Sequence, residues 1–223
     1  MATLSDWLCW QLADSAFPSG GFAHSNGIEA LWKQGELADT EQLSLFLSQA
    51  LLQLRHADLP VIASVMREPE QMALADHQVQ AMNLNAVASN ASRLQGRALL
   101  ASAEQAFDSP RLKALSDTLR QSGSPRHLPV AFAVVAHCLG LVAERALSLY
   151  LFMALRSMLS ASVRLGIIGP LESQAVIYRF GSECEWLASE ALECKLDDAH
   201  QPSPLMDLLH VNHQRLYSRL FQS

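Results

Sequence analysis

The chain is poor in the features that most often announce a chemical function. It has no CxxC pair, no HExxH run and no histidine-rich tract, so the clustered ligands of a dedicated metal centre are missing. Its glycines form neither a GxGxxG nor a GxxxxGK[ST] loop, and no lysine follows Gly27. Without that phosphate cradle, any link to a nucleotide must run through another protein. Lysine occurs only three times, at Lys33, Lys113 and Lys195, and the net charge is −6 with a pI near 5.7. That balance excludes nucleic acid as a partner, because phosphate binding needs a concentrated basic surface. Cys9, Cys138, Cys184 and Cys194 are too few and too scattered for a disulfide framework, which points to reduced thiols and a cytoplasmic setting. The N-terminus carries Asp6 and no basic stretch ahead of an apolar run, unlike a signal peptide. The most apolar segment, Val130–Val142, is too short to span a bilayer and contains His137, and the Leu147–Leu155 run is stopped by Arg156. No membrane association is expected.

What is present favours helices. Half of the 223 residues are hydrophobic and 17% are charged, which excludes a disordered chain and leaves room for one sizeable core or two small domains. Leucine and alanine are abundant while aromatics make up 7%, a balance suited to close helix packing. Arginine supplies 13 of the 16 basic residues, a composition that suits forked ion pairs at interfaces.

Apolar residues recur at helical spacing and alternation is nearly absent. Asp39, with Gln42 three residues on, predicts a helix start, followed by Leu43, Phe46, Leu47, Ala50, Leu51 and Leu54 on one face. Asp58-Leu59-Pro60 closes that helix and opens another, which Pro69 ends. Residues 70–107 hold one long helix or two. There Leu84, Val87, Ala91, Leu94, Ala98 and Ala101 form a stripe of mainly small residues that either packs in the core or seams two copies together. Ser109-Pro110 reads as a cap and first helical residue. Further helices are expected from Pro129 to about Gly140, from about Val142 to a glycine cap at Gly166, and from Pro170 to about Leu196. The reading is an all-α single-domain bundle over 1–196, a linker over 197–204, and an amphipathic tail over 205–223. That tail either docks on its own domain or waits for a partner.

Two places invite chemistry. His210 and His213, three residues apart on the tail helix, make half a metal site or are ordinary surface histidines. In the N-terminal loop, Asp14, Ser15, Ser19, His24 and Ser25 include every residue type of a hydrolytic triad. A triad is defined by geometry that sequence neighbours rarely present, so Ser19 or Ser25 with His24 stands as the enzymatic alternative. Otherwise Asp14 and Ser15 serve local turn amides. Pro18, Gly20 and Gly21, flanked by Phe17 and Phe22, predict a shaped loop pinned by aromatic side chains.

Residues 12–25, Leu-Ala-Asp-Ser-Ala-Phe-Pro-Ser-Gly-Gly-Phe-Ala-His-Ser, followed by Gly27-Ile28-Glu29, resemble the N-terminal signature of the UreF family of urease accessory proteins. Ala91–Leu100 resembles that family's "AS–QGR–LL" segment and His127–Phe132 its "HLPVAF" segment. Ser160–Gly166 and the tail His213–Phe221 resemble later blocks in the same order. Asn26 departs from the pattern, which more often has an aromatic there, and Ile28 replaces a leucine.

The resemblance implies an all-helical protein without enzymatic activity. It implies a complex with the scaffold UreD/UreH and the GTPase UreG, regulation of that GTPase, and delivery of nickel to apo-urease. It also implies a homodimer, with no cofactor of its own because the partners handle the nickel. On this basis the partner-binding residues are expected in the loop (Phe17, Pro18, Ser19, Gly20, Gly21, Phe22, His24, Glu29), facing the GTPase, and in the tail (Arg215, Tyr217, Arg219, Leu220, Phe221), facing UreD/UreH. The mix of arginine and aromatic anchors in the tail is typical of binding hot spots.

Overall fold

A computed structural model describes residues 4–20, 24–83, 85–202 and 221. Its helices, in chain order, are α1 (Leu4–Ala13), α2 (Ile28–Lys33), α3 (Thr40–Ala57), α4 (Leu59–Arg67), α5 (Met72–Met82), α6 (Ala86–Ala106), α7 (Pro110–Gln121), α8 (Leu128–Cys138), α9 (Ala143–Arg164) and α10 (Pro170–Ala191). No strand occurs among the described residues, and the chain is an all-α single-domain bundle.

Two short helices form its centre. Every residue of α8 from Pro129 to Ala136 is buried, as is every residue of α4 from Leu59 to Met66. A helix that is apolar all round must be covered all round. Helices α3, α5, α6, α7, α9 and α10 supply that cover, and α4 and α8 pack on each other. Helix α9 is long and apolar enough to cross a membrane by length and composition, but Leu147, Leu151, Leu155 and Leu159 are buried inside the bundle.

The capping signals act where the sequence places them. The Asp39 carboxylate accepts from the Gln42 amide at 2.9 Å, and Ser109 Oγ accepts from the Leu112 amide at 3.3 Å. Gln42 reaches back to the amide of Ala38 at 2.8 Å, one residue before the cap. At the end of α9, Gly166 takes φ +74°, and the amides of Gly166 and Ile167 return to the carbonyls of Val163 and Ser162, both at 3.0 Å. Glycine adopts this left-handed turn without the Cβ penalty.

The structure settles one choice that the sequence reading left open and differs from that reading in two details. The 70–107 region holds two helices, α5 and α6, with Asn85 capping the second through the amides of Val87 and Ala88. The stripe through Val87, Ala91, Leu94, Ala98 and Ala101 is not the core face of α6, since Leu94 is exposed and Ala91 and Ala98 border a cavity; Leu84 lies outside the described residues. The buried face runs instead through Ser89, Gly96, Leu99, Leu100 and Ala103, and shares only Ala91 with that stripe. A Cβ on Gly96 would lie 2.1 Å from the Arg126 carbonyl oxygen, so this close approach, rather than side-chain volume, sets the rotation of α6. Finally, α10 stops at Ala191 rather than Leu196. Arg55 donates to the Glu190 carbonyl at 2.8 Å and Arg67 to those of Leu192 and Cys194, both at 2.9 Å, satisfying carbonyls that further helix would have used. Beyond it, Leu196 and Ala199 are buried and the His200 amide donates to the His56 carbonyl, so residues 196–200 lie against the bundle.

Candidate functional site

The segment joining α1 to α2 is fastened to α6. The Asp14 carboxylate accepts from the Ala16 amide at 2.9 Å, a local turn of the kind expected, and the Phe17 amide returns to the Asp14 carbonyl. The Phe17 ring stacks on Phe107 with centroids 6.0 Å apart and planes 18° from parallel. Ser102 Oγ donates to the Pro18 carbonyl at 2.8 Å, and Gly20, at φ +76°, lies over Ala98 and Gln95. Pro18 and Gly20 are exposed and Ser19 is half-buried, so the loop presents backbone and small groups outward over an aromatic anchor. Gly21 and Phe22 lie outside the described residues.

From His24 onward the described side chains turn inward. His24, Ser25 and Glu29 are all buried. Asn26 (φ +52°) and Gly27 (φ +88°) make the left-handed turn into α2. Asparagine tolerates that conformation better than most residues, which suits the departure from the family pattern at this position. Glu29, wholly buried, pairs with Lys33 at 3.3 Å, and its carboxylate accepts from the Phe221 amide at 3.2 Å. The Phe221 ring is itself buried, with the Arg164 guanidinium over its face at 4.1 Å from the centroid. The end of the chain, the start of α2 and the end of α9 therefore meet at one spot. Arg215, Tyr217, Arg219, Leu220, His210 and His213 lie outside the described residues.

Between the loop, α3, α6 and α9 lies a cavity of about 620 Å³. Ser19 and Gly20 form part of one wall, Arg156 and Arg164 part of another, and Phe132, Asp58 and Tyr150 reach it from the core. The Tyr150 hydroxyl donates to the Asp58 carboxylate at 2.5 Å. Burial pushes the Asp58 carboxyl up from 3.8 to about 6, opposed by the tyrosine hydrogen bond, while burial and then the neighbouring Asp58 push the Tyr150 phenol well up. Asp58 reads in the sequence as a helix junction, and its one hint of another role is that it is an acid between two apolar runs.

Ser19 borders the cavity, whereas His24 and Ser25, the other members of the enzymatic alternative, are buried and do not line it. Among the described residues, no three His, Cys, Asp or Glu side chains are grouped closely enough to hold a metal ion. Burial raises the thiols of Cys9 and Cys138, and that of Cys184 to about 11, so these cysteines stay protonated near neutrality.

A family model described as UreF matches residues 37–181. The chain is 35% identical to Urease accessory protein F of Arabidopsis thaliana, over 97% of this chain and 92% of that protein. It is 33% identical to Urease accessory protein F of Oryza sativa subsp. indica, over 96% and 84%. The chain belongs to the UreF family. Urease accessory protein UreF of Trichodesmium erythraeum is a more distant relative, 29% identical over 95% of this chain.

Two surfaces of this UreF-family chain escaped the sequence reading. Trp7 and Trp10 on α1 are 63% and 58% exposed, with rings 6.1 Å apart edge to face. Leu171 and Tyr178 on α10 are 87% and 88% exposed, and Trp186 further along the helix is also exposed. Large apolar groups clustered outward mark interaction surfaces more often than singletons do. Tryptophan near the start of an amphipathic helix reads as core in a sequence. Only the packing of α1 on α9 shows these rings pointing away.

Proposed function

We propose that the chain is a non-enzymatic assembly factor for urease. It joins UreD/UreH and the GTPase UreG in a cytoplasmic complex, regulates the GTPase, and assists nickel insertion into apo-urease, with nickel as cargo held by its partners. The observation that carries this reading is the junction of Glu29, Phe221 and Arg164, which ties the end of the chain to the start of α2 beside the pinned loop. Phe221, the one described residue of that tail, thus sits at the start of α2, beside the loop. The loop offers the GTPase a preformed shape, and the tail carries arginine and aromatic anchors toward UreD/UreH. The outward tryptophans of α1 suit a contact between two copies, as a homodimer requires.

The test is complementation. Cells deleted for this protein and supplied with nickel should regain urease activity when the chain is restored. A His24→Ala chain that still folds should restore it equally. Loss of activation with His24→Ala, while UreG and UreD/UreH capture stays intact, would revive a catalytic role.

A further inference from the structure

The proposed function leaves two family-like segments without a role, Ala91–Leu100 and His127–Phe132, and the fold brings them together. At Gly96 the loop ahead of α8 lies directly on α6: a Cβ there would sit 2.1 Å from the Arg126 carbonyl oxygen and 2.8 Å from the His127 carbonyl carbon. The Leu128 amide donates to Ser92 Oγ at 3.1 Å, and the amides of Arg126 and His127 both donate to the buried Asp76 carboxylate. Three arginines are gathered by this contact. Arg93 lies one turn before Gly96, Arg97 directly follows it, and Arg126 is held at φ +66° by the turn into α8.

Their side chains are short of partners. Among the described residues, Arg93, Arg97 and Arg126 make no ion pair and no side-chain hydrogen bond, whereas neighbouring Arg120 is paired with Glu104 and Asp117. The Nε atoms of Arg93 and Arg126 and the Nδ1 of His127 are buried with no partner. Buried polar atoms are nearly always satisfied, so three orphans around one contact point are a signal. Asp76, the acid whose charge reaches Arg126, already spends its oxygens on two backbone amides. Arg97 is exposed, so solutes have access to the cluster, and its concentrated positive charge is exceptional in a chain of net charge −6. Burial, reinforced by Arg93 and Arg97, lowers His127 to about 4, so its ring is neutral. With Nε2 paired to the Gln80 carbonyl oxygen at 3.1 Å, the ring donates there and leaves Nδ1 as an acceptor.

We propose that Arg93, Arg97, Arg126 and His127 form a binding site for a phosphate group. Guanidinium forks match phosphate oxygens in pairs. The lone acceptor among the donors suits the hydroxyl of a hydrogenphosphate, which a carboxylate lacks. Free phosphate and the phosphomonoester of a small molecule share this chemistry.

Calorimetric titration of the full-length chain at low ionic strength with inorganic phosphate, phenyl phosphate and acetate tests the site. Saturable one-to-one binding of inorganic phosphate or phenyl phosphate is expected, with acetate at least tenfold weaker. Arg97→Gln should weaken that binding at least tenfold, while Arg179→Gln on α10 leaves it unchanged. The tighter of the two phosphates identifies the source. Arg97 is exposed, so its variant should melt at the wild-type temperature without phosphate; if it does not, Arg93→Gln takes its place in the same titrations. The proposal is overturned if neither phosphate saturates, if acetate binds as tightly, or if Arg97→Gln or its substitute behaves like Arg179→Gln.

Discussion

Replacing Asp58 by asparagine should stabilise the protein near neutral pH, against the usual cost of altering a buried polar residue. In the folded chain the Asp58 carboxyl is raised from 3.8 to about 6, so between those values the folded state holds a proton that the unfolded state releases. Stability therefore falls as pH rises through this window, and the cost is fully present above pH 6. A shift of that size costs about 3 kcal/mol at pH 7.5 and about 0.6 kcal/mol at pH 4. Asparagine is nearly isosteric and its carbonyl can still accept from Tyr150, while its amide group faces the cavity. A weaker hydrogen bond to a neutral acceptor returns roughly 1 kcal/mol. The net expectation is a gain of about 1–2 kcal/mol at pH 7.5, or a melting temperature roughly 2–8 °C higher for a chain of this size. The gain should vanish near pH 4. Urea unfolding of both chains from pH 4 to 7.5 measures it. A variant that is less stable at pH 7.5, or whose advantage does not shrink on acidification, would refute the reasoning.

His127 should show the opposite slope. Its ring titrates at about 4 when folded against 6.5 ordinarily, so the unfolded state takes up the proton first and stability falls as pH drops through that window. His127→Gln should remove about 2.5 kcal/mol of the acid-induced loss between pH 7 and 4.5, read from the same urea series. Gly96→Ala should cost about 3 kcal/mol or more, because its new methyl meets backbone at 2.1 Å and no flexible side chain can yield; thermal melting checks it. Phe17→Ala should cost roughly 2 kcal/mol by loss of the Phe107 stack. It should also weaken UreG capture, whereas an unchanged capture would separate the loop from the GTPase.

The helices were legible because their signals are local. Asp39, Ser109 and Gly166 each act on backbone groups within a few residues, and the apolar spacing of α3 declares its own buried face. The rotation of α6 was hidden because alanine and serine differ little in their preference for burial. What turns it is a backbone contact between Gly96 and Arg126, 30 positions away in the chain. The end of α10 depends on Arg55 and Arg67, over a hundred residues upstream, for which no pattern within α10 gives notice. The loop's turn and its aromatic anchor could be read, but not its seat on α6. The link from Glu29 to Phe221 spans nearly the whole chain, and the raised Asp58 carboxyl exists only once α3, α4 and α9 enclose it. Local chemistry thus foretold the elements, while the site is made by contacts distant in sequence.

The central claim is that this bundle works by the surface it presents to other proteins. The most direct measurement is capture of purified UreD/UreH and then UreG on the immobilised chain, with UreG loaded with nucleotide. The account predicts a stable complex containing all three proteins, with Phe221→Ala reducing the capture of UreD/UreH. A folded chain that binds neither partner would contradict it.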